Sequence, residues 1–431
     1  MQALWYVIDV RLQNRHLVYF ISKLMPPLLT LPENTIAMKT KLIFILMIAA
    51  WPFTNSCTST VDGGTASSHY TTRRIELTEK PFSIEIADLN NDKINDLVIT
   101  NGEDSSITVL LGTGKGNFRE AKGSPFRAGY MPNDIAIADF NKDGIPDLAL
   151  ANHDRKYLTV LTGDGKGAFT PLTGSPFHVA VRPHTHGIVA ADFNGDGYLD
   201  LVTDSWGTNQ LAILFGNKTH GFSQDAKYID VGKHPYQRIR SADLNKDGDP
   251  DIVTTNLDGN NTTILLGDGE GSFHEPPGSP FACGDSPFGV AIGDINDDGN
   301  LDLAIVNSPS VTSSNTGRDG LSILLGDGKG RFAAMPGSPF TTGTGPTRVA
   351  IGDVNSDGIQ DIAVTNYKSN SVTVFIMSKR GVESSYIIPV GSKPDGIAIG
   401  DLNGDRKKDI IVANCGSNFL TLISINKKAP R

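Results

Sequence analysis

The chain has 431 residues, of which 39% are hydrophobic and 20% are charged, and its formal net charge is −9. At roughly 100–200 residues per domain, this length fits two or three ordinary domains or one large repeat architecture. The apolar fraction is sufficient for a core and excludes a wholly disordered chain. The acidic balance argues against a nucleic-acid-binding protein that neutralises phosphates. The 3 cysteines are too few for a disulfide scaffold or a zinc cluster.

The N-terminal stretch has the pattern of an export signal. A basic segment, Met38–Lys41, precedes the apolar run Leu42–Trp51. This run is too short to span a bilayer, which takes about 20 residues, and is typical of a signal peptide. We expect a signal peptide over residues 38–56, of the bacterial lipoprotein type, with Cys57 as the lipidated first residue. Simple secretion and an uncleaved anchor stay open, because the usual leucine three residues before the cysteine is absent.

The segments that flank this signal have no predicted fold. Residues 1–37 precede a complete signal and are interpreted as an upstream start or a non-structural segment. Residues 57–69 are small and polar, as in a tether, and residues 427–431 form a short tail. The sequence thus predicts an exported cell-envelope lipoprotein, periplasmic or at the cell surface, or otherwise a secreted protein. Its contact with a membrane would be the lipid on Cys57.

The rest of the chain consists of seven copies of one unit. Each copy contains the segment Asp-x-Asn-x-Asp-x-x-x-Asp, and the copies follow each other at intervals of about 50 residues. The segments begin at Asp88, Asp139, Asp192, Asp243, Asp294, Asp353 and Asp401. Short β-branched runs, bounded by Gly, Asp, Asn and Pro, surround each segment and favour four strands per unit. Repeated four-stranded units predict a β-propeller, because a β-solenoid would have shorter repeats.

The two ends of the repeat region are complementary. The last unit has three predicted strands, the third ending at Ile425, and lacks a fourth. Arg73–Leu77 precede the first unit and have the pattern of an extra strand, which can pair with the exposed edge of the last unit. We therefore predict an all-β fold over residues 70–426. It is a seven-bladed β-propeller of four-stranded blades, closed by the N-terminal strand in the last blade.

On these repeats, the chain resembles the FG-GAP or VCBS repeat family. This family includes the N-terminal propeller of integrin α-subunits and bacterial secreted and lipoprotein relatives. The resemblance covers about residues 70–426 and rests on all seven loops. It implies that the loops lie on one face of the ring, and that the segments which differ most between units lie on the other.

The chemistry of the repeated loop points to calcium. In Asp-x-Asn-x-Asp-Gly-x-x-Asp, positions 1, 3, 5 and 9 carry oxygen side chains and position 7 can offer a carbonyl, while Ca²⁺ takes about six to eight hard oxygen ligands. An EF-hand is excluded because its glutamate at position 12 is missing, and Mg²⁺ fits less well because its geometry is stricter. We predict up to seven structural Ca²⁺ sites. The predicted ligands are Asp88, Asn90, Asp92, Asp96, Asp139, Asn141, Asp143, Asp147, Asp192, Asn194, Asp196, Asp200, Asp243, Asn245, Asp247, Asp251, Asp294, Asn296, Asp298, Asp302, Asp353, Asn355, Asp357, Asp361, Asp401, Asn403, Asp405 and Asp409.

Position 6 differs in two of the loops. Five loops have glycine there, which allows a turn with positive φ, whereas the first and the last have Lys93 and Arg406. These two loops are expected to lose the easy left-handed turn and to hold calcium less well, because a cation stands near the site. The alternative for every loop is an Asx-rich turn without an ion. No loop combines an open coordination position with a nucleophile or base, so the ions are expected to be structural.

A ligand face is expected opposite the loops. Aromatic, arginine and histidine side chains that converge there would suit a carbohydrate or a protein partner. The candidates are Trp206, Tyr236, Arg238, His184, His186, Arg348 and Tyr367. The alternative is that these side chains are ordinary residues of a polar rim that fill space between blades. His184 and His186 form a His-x-His that is a weak candidate for a transition-metal site.

The sequence favours a binding protein over an enzyme. We predict a monomeric, calcium-stabilised binding or adhesion propeller with a glycan or protein ligand and no nucleic acid. The alternative is a propeller-type polysaccharide lyase or other sugar-processing enzyme, with His153 or His186 as general base beside Asp134 or Asp154. Neither a Gly-x-Ser-x-Gly nor a His-Glu-x-x-His motif is present. The fold alone does not decide between these classes.

Overall fold

The computed structural model describes residues 67–179, 185–219, 221–223, 225–312 and 317–426. The chain divides into two units, Met1–Cys57 and Thr58–Arg431, and every described residue belongs to the second. The predicted upstream segment, the signal peptide, Cys57, most of the tether, His184 and residues 427–431 lie outside the described residues. What the sequence predicts for them therefore stays a prediction.

The described residues form seven antiparallel sheets arranged as the blades of a propeller. The N-terminal strand and the first three blades contain β1 (Tyr70–Glu76), β2 (Ile84–Ala87), β3 (Asp96–Asn101), β4 (Ser106–Gly114), β5 (Asn117–Glu120), β6 (Phe126–Arg127), β7 (Pro132–Ala138), β8 (Asp147–Asn152), β9 (Tyr157–Gly163), β10 (Phe169–Pro171), β11 (Phe177–His178), β12 (Ile188–Ala191), β13 (Asp200–Ser205), β14 (Gln210–Leu214) and β15 (Lys227–Asp230).

The remaining four blades follow the same plan. They contain β16 (Pro235–Ala242), β17 (Asp251–Asn256), β18 (Asn261–Gly267), β19 (Phe273–His274), β20 (Phe281–Ala282), β21 (Pro287–Gly293), β22 (Asp302–Asn307), β23 (Gly320–Gly326), β24 (Phe332–Ala334), β25 (Pro346–Gly352), β26 (Asp361–Asn366), β27 (Ser371–Ser378), β28 (Gly381–Pro389), β29 (Pro394–Gly400), β30 (Asp409–Asn414) and β31 (Phe419–Ile425). Six sheets have four main strands in chain order, and the seventh has the order β29-β30-β31-β1. The short strands β6, β11 and β20 also pair with the third strand of their blades. The predicted seven-bladed, all-β propeller is confirmed.

The N-terminal strand closes the ring as the sequence predicts. Strand β1 pairs antiparallel with β31, from Tyr70 opposite Ile425 to Glu76 opposite Phe419, and completes the last blade. Ile75 of this strand is buried in a core that also contains Leu97 of the first blade. The first and last blades therefore share one hydrophobic core, and β1 contributes to it.

Every blade has the same polarity. In blade two, the inner strand β7 begins at Pro132 opposite Asn152 and ends at Ala138 opposite Asp147. The loop that starts at Asp139 closes the hairpin at this second end. We call the end of the blades that carries these loops the hairpin face, and the end where the inner strands begin the rim face.

The cores lie between neighbouring blades. Val98 and Val109 of blade one, for example, pack in one buried cluster with Ile135 and Leu148 of blade two. Because each blade buries its apolar side chains against the next, the hydrophobic effect stabilises the ring as a whole. In the part of the chain that the structure describes, no helix is long and apolar enough to cross a membrane.

Candidate functional site

Each hairpin loop is held by bonds between its own side chains and backbone. In blade two, Oδ1 of Asp139 and Oδ1 of Asn141 both accept the backbone N–H of Asp143, at 3.1 and 2.9 Å. Oδ2 of Asp139 accepts the N–H of Gly144 at 2.8 Å. This last bond, from position 6 to the first aspartate, recurs in all seven loops. Oxygen atoms from positions 1 and 3 thus gather around one backbone N–H.

The aspartate at position 9 has a different role. It begins the second strand and is buried, and in blade five its two oxygens accept the N–H groups of Ile295 and Gly326 at 3.0 and 2.9 Å. These bonds link Asp302 to both the loop and the third strand of the blade. Burial raises the pKa of the equivalent Asp200 to about 7, although backbone N–H donors oppose this shift. The position 9 carboxylate is therefore a structural link within each blade.

The first and last loops adopt the same turn as the others. Lys93 and Arg406, at position 6, have φ of 68° and 67°, in the left-handed region that Gly144 occupies with φ of 82°. The expectation that these loops lose the left-handed turn is wrong. The bond from the position 6 N–H to the first aspartate fixes the turn, and the non-glycine residues adopt it at a conformational cost.

The exposed donors of the loops suit calcium. Positions 1 and 5 offer carboxylates and position 3 offers an amide oxygen, which are the hard donors that Ca²⁺ prefers. Among the described residues, no group of three or more His, Cys, Asp or Glu side chains could hold a metal ion as it stands. Calcium would therefore need the amide oxygen and the position 7 carbonyl as well as the carboxylates. The donor set fits this ion, and its binding stays a prediction.

The rim face carries a cluster of aromatic rings, which we call the aromatic patch. It consists of His153, His186, Trp206, His234, Tyr236 and Phe288. The indole of Trp206 stacks on the imidazole of His234 with ring centroids 4.3 Å apart. Tyr236 lies 4.9 Å from Trp206 and 4.2 Å from His186, in both cases edge to face. The patch therefore brings together Trp206, Tyr236 and His186 of the sequence candidates.

A local departure from the repeat builds this patch. Six blades end their second strand with Asn, whereas blade three has Asp204-Ser205 followed by Trp206 in a short 3₁₀ helix. Oδ2 of the buried Asp204 accepts a hydrogen bond from Nδ1 of His186 at 3.0 Å, and its Oδ1 accepts the backbone N–H of His186 at 2.8 Å. Asp204 thus fixes the orientation of the His186 ring, the fully buried member of the patch.

Polar groups border the patch. Nδ1 of His234 donates to Oδ2 of Asp258 at 2.7 Å, and both side chains reach solvent. His153 lies 4.9 Å from His186, centroid to centroid, and its Nδ1 is 3.5 Å from Oδ2 of the exposed Asp154. Carboxylates and imidazoles therefore surround half-buried rings, as in a site that recognises a polar ligand.

Two sequence candidates lie elsewhere. Arg238 and Arg348 are 3% and 1% exposed and belong to the wall of the central channel, not to the open rim. Arg238 pairs with Asp134 at 2.5 Å and with Glu85 at 3.2 Å. Arg348 pairs with Asp395 through its Nε at 3.2 Å. Carboxylates of other blades bind both guanidinium groups, so these two arginines do not join the aromatic patch.

Tyr367 and the buried Asp134 also lie apart from the aromatic patch. Tyr367 lies on blade six, where the ammonium of Lys393 is 5.8 Å from its ring, and no described contact joins it to the aromatic patch. Asp134 is fully buried in its pair with Arg238. The pair of His153 and Asp154 is the one of the predicted acid–base pairs that lies at a solvent-accessible position.

Sequence reasoning missed two members of this region. His234 stands just before the repeat proline of its blade, where other blades have Lys80 and Lys393. From the sequence, it therefore resembles an ordinary turn residue. Asp204 was missed as a buried acceptor. Its signal was present, because an acidic residue stands where the other blades have Thr, Ala or Val.

Comparison with known proteins agrees with the fold. The FG-GAP-like repeat matches the chain at residues 88–150, 139–203, 206–305, 311–364 and 353–412. No protein of curated function matches the sequence.

Three solved structures of differently named proteins have a similar fold. BBS1N in complex with ARL6DN is 14% identical, with a TM-score of 0.57 over 82% of this chain and 95% of that one. Hydrazine synthase from Kuenenia stuttgartiensis is 13% identical, with a TM-score of 0.52 over 81% and 96%. A catalytically inactive virginiamycin B lyase from Staphylococcus aureus, in complex with quinupristin, is 15% identical, with a TM-score of 0.51 over 82% and 99%. At such low identities, the likeness establishes the fold alone.

Proposed function

The chain belongs to the FG-GAP-like repeat family, and on that premise we propose that it is an exported, calcium-stabilised binding or adhesion propeller that binds a glycan at the aromatic patch. The propeller fold of this family fits a binding or adhesion role. The observation that carries the proposal is the stack of Trp206 on His234 beside Tyr236, on the rim face.

The composition of the patch favours a glycan. Trp and Tyr combine a large apolar ring with a polar handle, which suits the alternating C–H and O–H surfaces of a sugar. Asp154 and Asp258 reach solvent beside the rings, and carboxylates and imidazoles are acceptors and donors for hydroxyl groups. A protein partner would use the same aromatic anchors, and the experiment below separates the two.

Calcium has a structural role in this proposal. The loops that would bind it lie on the hairpin face, at the opposite end of each blade from the aromatic patch. Ions bound there would hold the hairpins and thereby the strands whose other ends form the rim. We expect calcium to stabilise the ring and to affect ligand binding through folding.

Export to the cell envelope is the remaining part of the proposal, and Cys57 is the residue on which it depends. Replacing Cys57 by serine should move the protein from the membrane fraction to the soluble fraction, because the lipid is its proposed anchor. Unchanged fractionation of Cys57→Ser would contradict lipidation at this residue.

A glycan array tests the proposed function. The full chain should bind a limited set of glycans, and Trp206→Ala should lose them at least tenfold in apparent affinity. Tyr386→Ala is the matched control, because this half-buried aromatic stacks on His69 at the outer strand β28 of blade six. A depolymerisation assay on acidic polysaccharides runs beside the array. Polysaccharide turnover that His153→Ala abolishes would favour the enzyme alternative. Glycan binding that is unchanged in Trp206→Ala would contradict a ligand site at the aromatic patch.

A further inference from the structure

The central channel contains a cavity of 380 Å³ between the inner strands of five blades. Its lining comes from β2, β16, β21, β25 and β29, with Leu301 from a hairpin loop. Most lining residues are aliphatic, among them Ile292, Ile351 and Ile399. The charged side chains in the lining are those of Glu85 and Arg240. Polar and apolar atoms both face the cavity, and a few convergent polar groups among aliphatic side chains are a usual form of a small-molecule site.

Ion pairs close the rim-face end of this cavity. Arg238 precedes Arg240 by two residues along β16, toward the rim face, and binds both Asp134 and Glu85. Nη2 of Arg238 also donates to the hydroxyl of Ser83 at 3.3 Å. Because these side chains cross the channel, the cavity lies on the hairpin side of a charged layer.

Arg240 differs from the two other arginines of the channel. Arg238 and Arg348 each bind a carboxylate, whereas Arg240, within the described residues, donates one hydrogen bond, from Nη1 to the carbonyl of Ile239 at 3.0 Å, and has no carboxylate within ion-pairing distance. A guanidinium has five N–H donors. Burial and the nearby charge of Arg238 lower the pKa of Arg240 to about 10, so it is a cation at neutral pH. Its other donors have no protein acceptor among the described residues, and Arg240 lines the cavity.

We propose that this cavity binds a small monocarboxylate with a compact apolar body. The carboxylate would form a bidentate pair with Arg240, since planar carboxylate and guanidinium groups match in geometry. The apolar body would lie against the isoleucines of the inner strands. The layer that contains Arg238 would close the site behind the ligand.

The size and accessibility of the cavity fit such a ligand. A volume of 380 Å³ is near the lower end of the range of about 300–1,000 Å³ for ligand sites, which restricts the occupant to a small molecule. The Glu85 side chain is 30% exposed and Arg240 is half-buried, so solvent reaches the cavity. Benzoate and hexanoate are suitable probes, because each joins one carboxylate to a compact apolar body.

Calorimetric titration of the full chain with benzoate tests the proposal. Benzoate should bind, and benzamide, which has the same shape without the charge, should bind at least tenfold more weakly. Arg240→Gln should weaken benzoate binding at least tenfold. Arg331→Gln is the matched control, since Arg331 is an exposed arginine outside the channel, and should bind as the unmodified chain does.

A second variant tests the cavity even if Arg240→Gln fails to fold. Ala350→Leu adds bulk to the cavity wall and leaves Arg240 in place, so it should abolish benzoate binding in a chain that still melts cooperatively. Absence of binding by both benzoate and hexanoate would overturn the proposal. So would equal affinity for benzoate and benzamide, or unchanged affinity in Ala350→Leu. Glycan binding at Trp206 should be the same in all these variants, which separates this site from the proposed function.

Discussion

The indole of Trp206 lies flat on the imidazole of His234, with 4.3 Å between the ring centroids and 6° between the ring planes. The two residues belong to different blades, because Trp206 follows β13 and His234 precedes β16. The aromatic patch is therefore a property of the junction between blades three and four. Its geometry depends on the ring being closed and on the strands keeping their positions.

Removal of the N-terminal strand should open the ring. Deleting Tyr70–Glu76 leaves the edge of β31 unpaired and exposes the core that Ile75 covers. Burial of one such isoleucine contributes about 1.5–3 kcal/mol, so we expect a marked fall in melting temperature, measured by circular dichroism. Deleting residues 58–66 is the control, because β1 stays intact. If both deletions melt alike, the strand does not close the ring.

The position 9 aspartates should stabilise the blades without any ion. Asp302→Ala removes the acceptor of two backbone N–H groups, each costing about 1–3 kcal/mol when left unsatisfied. Urea unfolding in a chelator should therefore show a loss of about 2–6 kcal/mol. Asp298→Ala, in the exposed part of the same loop, should lose less under these conditions. A cost of Asp302→Ala that appears in calcium and vanishes in the chelator would mean that this carboxylate acts as a metal ligand instead.

Glycine at position 6 of the last loop should increase stability. Arg406 has φ of 67°, and a non-glycine residue held there costs of order 1–3 kcal/mol in conformational strain. Glycine removes this strain, but its greater backbone entropy in the unfolded state costs about 0.5–1 kcal/mol. Arg406→Gly should raise the free energy of unfolding by up to about 2.5 kcal/mol in a chelator. Arg380→Gly, at a residue without positive φ, should give no gain. Equal effects of the two changes would contradict strain at Arg406.

Chelation should lower the melting temperature. An ion that binds the folded hairpin stabilises by about 2.7 kcal/mol per site at a hundredfold excess over its Kd. We expect added Ca²⁺ to restore the melting temperature and Mg²⁺ to restore it less, because its octahedral geometry is stricter. Asp196→Ala should reduce this calcium effect more than Asp405→Ala, since the cation of Arg406 stands beside the last loop. A melting temperature that does not change with the chelator would mean that the loops are Asx-rich turns that bind no ion.

The fold was predictable because its determinants are local and repeated. Each loop places Asp, Asn and a turn residue at fixed spacing. The sequence also shows an extra strand before the first unit and a missing strand in the last unit, which predicts that the two ends pair. Position 9 shows the limit of this reasoning. The sequence identifies Asp302 as an oxygen donor, but only the blade geometry brings the N–H of Gly326 to it across the hairpin.

The rim was less predictable because its contacts join distant blades. Arg238 has the sequence features of a ligand-binding arginine, yet Asp134 of blade two and Glu85 of blade one lie within ion-pairing distance across the channel. Trp206 and Tyr236 were identified by residue type and by their place on the face expected opposite the loops. His234 belongs to the patch because its ring packs on Trp206, a contact that no local sequence pattern indicates.

Tryptophan fluorescence tests the central claim most directly. The chain has 3 tryptophans, Trp5, Trp51 and Trp206, so replacing the first two by phenylalanine leaves the emission of the full chain to Trp206. Titration with a glycan that the protein binds on the array should shift this emission saturably, with the same midpoint as binding. Constant emission during saturating glycan binding would contradict a ligand site at the aromatic patch.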